Sequence, residues 1–361
     1  MDEPLDLVTL LASAIERGAS DLHLCVGIPP MARLHGSLMP LTESPLAYES
    51  CRDLIYGILN ESQRARIEEN WELDFAVQIE GVGRFRGNAH FNRGMLEAAF
   101  RHIPAVIPDL DQLGHRPTIR QLCGLESGLV LVTGITGSGK STTLAAMVQA
   151  ISQARSGVII SVEDPIEFIF QNSLSIIKQR EVGSDTKSFA DALRHVLRQD
   201  PDVIMISEMR DRETVQAAIT AAETGHLVLS TLHTQDAPKS IDRIVDVFPP
   251  DQQAQITAQL ANCLQGVVSQ RLLPRADGTG RILASETMVM NSAIRACLRE
   301  HKNEQILGLI EIGGREGMNT IDESVADLYE QGLITKEEAL INVRDKARIE
   351  NLKPKKKGLF G

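Results

Sequence analysis

Apolar positions fall into two regimes along this chain, and the pattern changes near residue 110. Leu7, Leu10, Leu11, Ala14 and Ile15 recur at three- and four-residue spacing, which predicts an amphipathic helix over residues 5–17 closed by Gly18. Short runs follow at Asp21–Val26 and, after the Pro29-Pro30 turn, Met31–Leu34, with His35-Gly36 read as a tight turn. Residues 46–70 read as helical. Trp71–Ile79 and Gly83–Phe91 alternate apolar with polar residues, as antiparallel strands joined around Glu80-Gly81-Val82-Gly83 do, and Met95–His102 adds another strand. Residues 1–103 are thus expected to form a small α+β domain. Pro104, Pro108 and Pro117 punctuate residues 104–118, which read as an interdomain linker.

Beyond the linker the strands become short and almost wholly apolar: Leu129–Thr133, Gly157–Val162, Val203–Ser207 and Leu227–Leu232. Parallel strands covered on both faces have this character. Helical patterns separate them, starting at Lys140, near Thr186 and at Asp211, where the aspartate suits an N-cap. Phe189, Leu193, Val196 and Leu197 mark the buried stripe of the second of these helices. Further helices are expected over 236–246 and 251–270, and the C-terminal third from Asn291 reads as mostly helical. Residues 119–361 are therefore expected to be an α/β domain, a central parallel sheet flanked by helices.

Composition narrows the class. With 361 residues, 43% of them hydrophobic, the chain has enough apolar material for two cores. No apolar run approaches the roughly 20 residues of a membrane helix, and Met1-Asp2-Glu3-Pro4 lacks the layout of a signal peptide. Five scattered cysteines without a C-x-x-C pair read as reduced residues of a cytosolic protein. A net charge of −11 works against a nucleic-acid motor, which usually carries a basic stripe. The one dense basic run, Lys353-Pro354-Lys355-Lys356-Lys357, reads as a solvated tail, with weak attraction to anionic lipid headgroups as the alternative.

The candidate chemistry centres on Gly134–Ser141, which fits G-x-x-x-x-G-K-[ST] between a strand and a helix. Backbone N–H groups in such a loop point inward at phosphates, and the new helix adds its positive end. The expected nucleotide contacts are Gly134, Thr136, Gly137, Ser138, Gly139, Lys140, Ser141 and Thr142, with the Lys140 ammonium on the β- and γ-phosphates and the Ser141 hydroxyl on Mg²⁺. Hydrolysis of ATP also needs one carboxylate to orient water and another on the Mg²⁺ side. Glu163 and Glu208, expected on strands beside the loop, supply the pair. His226 and His233 sit seven apart across a strand, with no cysteine or acid to complete a metal shell, and read as hydrogen-bonding sensors of the γ-phosphate or of a neighbouring strand.

In order along the chain stand the phosphate loop, Glu163-Asp164-Pro165-Ile166-Glu167-Phe168, Glu208-Met209-Arg210-Asp211 and Thr224-Gly225-His226 with Thr231-Leu232-His233-Thr234. These resemble the Walker A, Asp box, Walker B and His box of the type II/IV secretion ATPase superfamily. Gly18-Ala19-Ser20-Asp21-Leu22-His23-Leu24 and Ala293-Ile294-Arg295-Ala296-Cys297-Leu298-Arg299-Glu300 resemble, more narrowly, segments of the type IV pilus retraction ATPases. The resemblance implies a PAS-like N-terminal domain, a RecA-like P-loop ATPase core and a homohexameric ring. The ring would sit in the cytoplasm, peripherally on the inner face of the membrane, docked on the platform protein of the pilus base, with a paralogous retraction ATPase as a further partner. It also makes Glu163 the first choice for activating water and Glu208 for the Mg²⁺ side, with exchange of the two roles left open.

A ring motor gains from arginines that one domain offers to the nucleotide of another. Arg84, Arg86 and Arg101 on the N-terminal strands are the candidates, Arg84 and Arg86 sharing a face by strand spacing. The function expected is an ATP-driven motor of pilus retraction. The alternatives are a pilus-assembly or type II secretion ATPase, whose longer N-terminal region and four-cysteine zinc motif are not seen here, a nucleic-acid translocase, and a non-hydrolysing ring subunit.

Overall fold

The computed structural model describes residues 5–34, 36–103 and 106–352. His35, Pro104 and the lysine run at 353–357 lie outside the described residues. The chain divides into two compact units, residues 1–106 with Pro165–Ile169, and residues 107–164 with 170–361. It therefore passes from one unit to the other three times.

The first unit holds helix α1 (Leu7–Glu16), strands β1 (Asp21–Leu24), β2 (Met31–Leu34) and β3 (Ser37–Pro40), helices α2 (Tyr48–Ile58) and α3 (Glu61–Asn70), and strands β4 (Glu72–Ile79), β5 (Gly83–Asn92) and β6 (Met95–Ile103). Its six strands form one antiparallel sheet in the order β3-β2-β1-β6-β5-β4. Leu7, Leu11, Ile55, Phe85 and Phe100 gather on one side of it as a buried core. The helical stretch expected over 46–70 is two helices, because Asn60 starts a new one. Its side chain accepts from the Gln63 N–H while the Gln63 side chain accepts from the Asn60 N–H, a reciprocal cap. Strand β3, fully exposed at the sheet edge, carries no buried face that periodicity would reveal.

The second unit carries helix α4 (Thr118–Cys123) and then alternates strands with helices: β7 (Gly128–Thr133), α5 (Lys140–Ala154), β8 (Gly157–Glu163), β9 (Ser175–Glu181), α6 (Phe189–Val196), β10 (Val203–Ile206), α7 (Arg212–Glu223), β11 (Leu227–Leu232), α8 (Ala237–Asp246) and α9 (Pro250–Cys263). Strands β12 (Leu264–Pro274) and β13 (Arg281–Val289) form a hairpin, and α-helices α10 (Ser292–Arg299), α11 (Ile306–Ile312), α12 (Ile321–Glu330), α13 (Lys336–Asn342) and α14 (Lys346–Glu350) follow, with two short 3-10 turns among them. The sheet order is β13-β12-β7-β11-β10-β8-β9, parallel except for β13. Every residue of β7, β10 and β11 is buried, as their unbroken apolar runs require.

The helix expected over 251–270 stops at Cys263, where the chain turns straight into β12. Val267, Val268 and Leu273 fit a buried strand as well as a helix face, so spacing alone misassigns this run. The C-terminal helices are fastened to the sheet through Arg344. Its guanidinium lies 3.0 Å from Glu286 on β13, whose side chain is almost wholly buried, and 3.6 Å from Asp236, the N-cap of α8. All five cysteines are unpaired, and burial pushes the thiols of Cys51, Cys123 and Cys263 up to about 12.

Candidate functional site

Strand β7 delivers the chain to the loop from inside the sheet, and three glycines shape the turn beyond it. At Gly134 (φ +147°) a Cβ would collide with Ser138 Oγ and the carbonyl of Gln270. Gly137 and Gly139 hold left-handed φ values of +79° and +91°, and Gly139 is the N-cap of α5. The helix therefore starts at Lys140 with its unpaired N–H groups and positive dipole end at the loop. Lys140 is 8% exposed and its Nζ donates to the carbonyls of Gly134 (2.8 Å) and Ile135 (3.1 Å). Ser138 Oγ is buried inside the turn with no hydrogen-bond partner among the described residues. Thr136, Gly137 and Ser141 are exposed and Thr142 half-buried. A cradle of left-handed glycines, a buried orphan hydroxyl and a lysine on the rim fits a polyphosphate.

A chain of hydroxyls, buried except at Thr234, fixes the base of this loop. Ser269 Oγ on β12 lies 2.8 Å from Thr133 Oγ1, Ser240 Oγ on α8 donates to Thr133 at 3.5 Å, and Thr234 Oγ1 lies 2.6 Å from Ser240. Sequence motifs gave no sign of Arg281, whose Nη1 donates to the carbonyl of Gly137 at 3.2 Å. A cleft of about 160 Å³ opens beside the loop, lined by Ile135, Gln235, Gln270, Arg271 and Asn342.

The two acids are not on strands beside the loop, contrary to the sequence expectation. The neighbours of β7 are β11 and β12, so β10, which leads to Glu208, is two strands away and β8, which ends in Glu163, is three. At about 4.8 Å per strand, these backbones stand about 10 and 14 Å from the loop strand. Strand β11 carries the nearer polar group. At its end His233 Nε2 lies 3.4 Å from Glu208 Oε2, and Arg210 Nε lies 2.7 Å from Oε1 of the same carboxylate. Thr231 Oγ1 donates to the Ser207 carbonyl at 2.5 Å, joining the two strand ends. Glu163 is 3% exposed and its Oε1 accepts from Ser161 Oγ (2.6 Å) and Gln179 Nε2 (3.0 Å), so its carboxylate is held from two directions.

His226 requires a correction. It precedes Leu227, which pairs with Gly128 at the amino end of β7, whereas the loop leaves the carboxyl end after Thr133. Its Nδ1 sits 3.0 Å from the carbonyl of Ala221. Six strand residues, about 20 Å, separate it from the phosphate loop of its own subunit, so the structure does not bring it together with Lys140. His233 is brought to the site, with Glu208 as its neighbour.

In the first unit, Arg84, Arg86 and Arg101 do share one face of the sheet, away from Phe85 and Phe100. Arg86 stands directly opposite Arg101 in the register of β5 with β6. Arg101 Nε donates to Asp21 at 2.8 Å. Burial pushes the Asp21 carboxyl up, but Ser20 and Arg101 outweigh it and hold the group below its usual value.

Close to the loop helix, His115 Nε2 lies 2.9 Å from Thr143 Oγ1. Burial lowers this imidazole from 6.5 to about 4. The folded ring stays neutral where the unfolded one takes a proton, so stability is complete above pH 6.5 and is lost as the pH falls towards 4. The loss should approach about 2–3 kcal/mol in that window. Urea midpoints at pH 7.5 and 5 will fall accordingly, and His115→Gln, which cannot titrate, will shrink the difference; an equal drop in the variant refutes the assignment.

Comparison with known proteins adds to this geometry. The family described as type II/IV secretion system protein matches residues 101–341. The chain is 46% identical to the Pseudomonas aeruginosa type IV pilus retraction ATPase PilT over 96% of this chain and 99% of that one. It is 41% identical to the type IV pilus ATPase PilU of the same organism, covering 93% and 88%. A crystal structure of the pilus retraction motor PilT with bound ADP superposes with a TM-score of 0.90 at 47% identity, covering 96% of this chain and all of that one.

Proposed function

The chain belongs to the type II/IV secretion system protein family, and from that premise we propose that it is an ATP-hydrolysing motor that powers type IV pilus retraction. The observation that carries the reading is the glycine cradle around Ser138 with Lys140 on its rim. The α/β core with a second, antiparallel unit is the fold of the PilT structure, in which the nucleotide is ADP.

In this reading the loop N–H groups and the N-terminus of α5 hold the phosphates, and Lys140 exchanges its two carbonyl partners for phosphate oxygens. The Ser141 hydroxyl and the Glu208 carboxylate would hold Mg²⁺, a set of hard oxygen donors that suits the ion. Magnesium supplies positive charge to the phosphates when bound. Glu163, steadied by Ser161 and Gln179, orients the attacking water and accepts its proton. His233 fixes the Glu208 side chain. Arg84, Arg86 and Arg101 offer cationic charge to the nucleotide of the same or a neighbouring subunit of a homohexamer.

Work requires two arrangements that ATP and ADP stabilise differently. The chain supports this with a covalent path, since it leaves the second unit for the first at Pro165, two residues after Glu163. We place the ring in the cytoplasm against the pilus platform, with the PilU-type ATPase as a further partner and no nucleic acid. The test is deletion of the gene with a count of surface pili. Excess pili are expected; a bald cell would instead mean an assembly motor.

A further inference from the structure

We propose that His115 is a positioning residue that ties the segment 107–118 to the phosphate-loop helix, so that a shift of the helix on nucleotide binding is passed into that segment. The inference rests on reading the loop as the nucleotide site. By sequence this stretch reads as a linker with few regular patterns. In the structure it is a strap fastened along α5. Ile107 and Leu110 are buried. Gln149 Nε2 on α5 donates to the Ile107 carbonyl at 3.5 Å, and His115 meets Thr143, also on α5, at 2.9 Å. Arg120, on α4 just past the strap, holds the strap's Asp109 (2.7 Å) and Asp111 (2.9 Å).

Thr143 is the informative partner. It is 1% exposed, lies three residues beyond Lys140, and accepts a second hydrogen bond from Gln270 Nε2 at 2.8 Å. Gln270 in turn presses its carbonyl against Gly134 at the start of the loop. One strand residue thus touches the loop at its first glycine and, through Thr143, just past its last. The His115 ring is bonded to the same hydroxyl. When the loop closes on phosphates, the first turns of α5 adjust, and two anchor points on that helix oblige the strap to follow. The strap begins at the residue after Val106, where the first unit ends.

Hydrogen exchange of the full-length protein, with and without ADP and magnesium, reads this directly. In the wild type, ADP should slow exchange across residues 107–118 about threefold or more. His115→Leu should bind ADP about as tightly, yet lose that slowing, and His115→Gln, whose amide reaches the same hydroxyl, should restore it. Thr143→Val removes the bond from the other side and should reproduce the loss, which keeps the test open if the leucine variant does not fold. A leucine variant whose strap still responds to ADP, or a wild-type strap that ignores bound ADP, overturns the proposal. Failure of the wild type to bind ADP at all would overturn the nucleotide reading and this inference with it, and is seen separately by titration with fluorescent ADP.

Discussion

Lys140→Ala abolishes ATP hydrolysis while leaving the chain folded. The lysine is the one cation within the loop itself, and it is positioned in advance by the carbonyls of Gly134 and Ile135 rather than recruited from solvent. Losing a preorganised donor aimed at developing phosphate charge costs ~10²–10³-fold in turnover, and more where the donor is a full charge. The fold should survive, because the packing of α5 rests on Leu144, Met147, Val148 and Ile151, all buried. The Gly134 carbonyl that loses its partner is buried and the Ile135 carbonyl part-buried, so the thermal midpoint should fall by several degrees while the chain stays folded. A steady-state phosphate-release assay beside a thermal melt decides it. Turnover at the wild-type level would end the motor interpretation.

The second large effect is at Glu163. Replacing it with glutamine keeps the shape and an oxygen for Ser161 and Gln179 to bond, while removing the charge that draws a proton from water. Loss of a general base costs ~10²–10⁴-fold. ATP binding should be nearly unchanged, so the variant should be trapped with uncleaved nucleotide. Glu208→Gln provides the contrast. Its carboxylate is bonded to Arg210 and His233, and its loss should weaken the response to magnesium as well as turnover. If instead Glu163→Gln hydrolyses ATP normally and Glu208→Gln stalls with tightly bound ATP, the two roles are exchanged.

How much of this was legible beforehand depended on the kind of signal. The loop was the clearest case, because glycine at 134, 137 and 139 answers a steric demand that few other residues meet. Leu227–Leu232 and its fellow parallel strands could be read because continuous burial leaves an unbroken apolar run. Sheet order could not. Nothing local in Val203–Ile206 says that β11 will lie between it and β7, so Glu208 and Glu163 were expected one and two strands too close. His226 is a different case: it precedes Leu227, and in a parallel sheet that alone puts it at the amino end of its strand, opposite the end that meets the phosphates. The start of β12 was hidden because a buried strand and a helix face share an apolar spacing over so few residues. Arg281 and His115 were invisible for a simpler reason: each acts through one long-range contact and belongs to no motif.

The excursion of Pro165–Ile169 into the first unit bears on how this protein can be dissected. No single cut yields two whole pieces. A fragment starting at residue 107 would carry five orphaned residues of the missing body, with Ile166 and Phe168, 6% and 9% exposed in the intact chain, stripped of their cover. A fragment ending at 106 would have a matching gap. Truncations made to assay the ATPase core alone should therefore aggregate or unfold early, unless that pentapeptide is replaced by a polar loop of the same span.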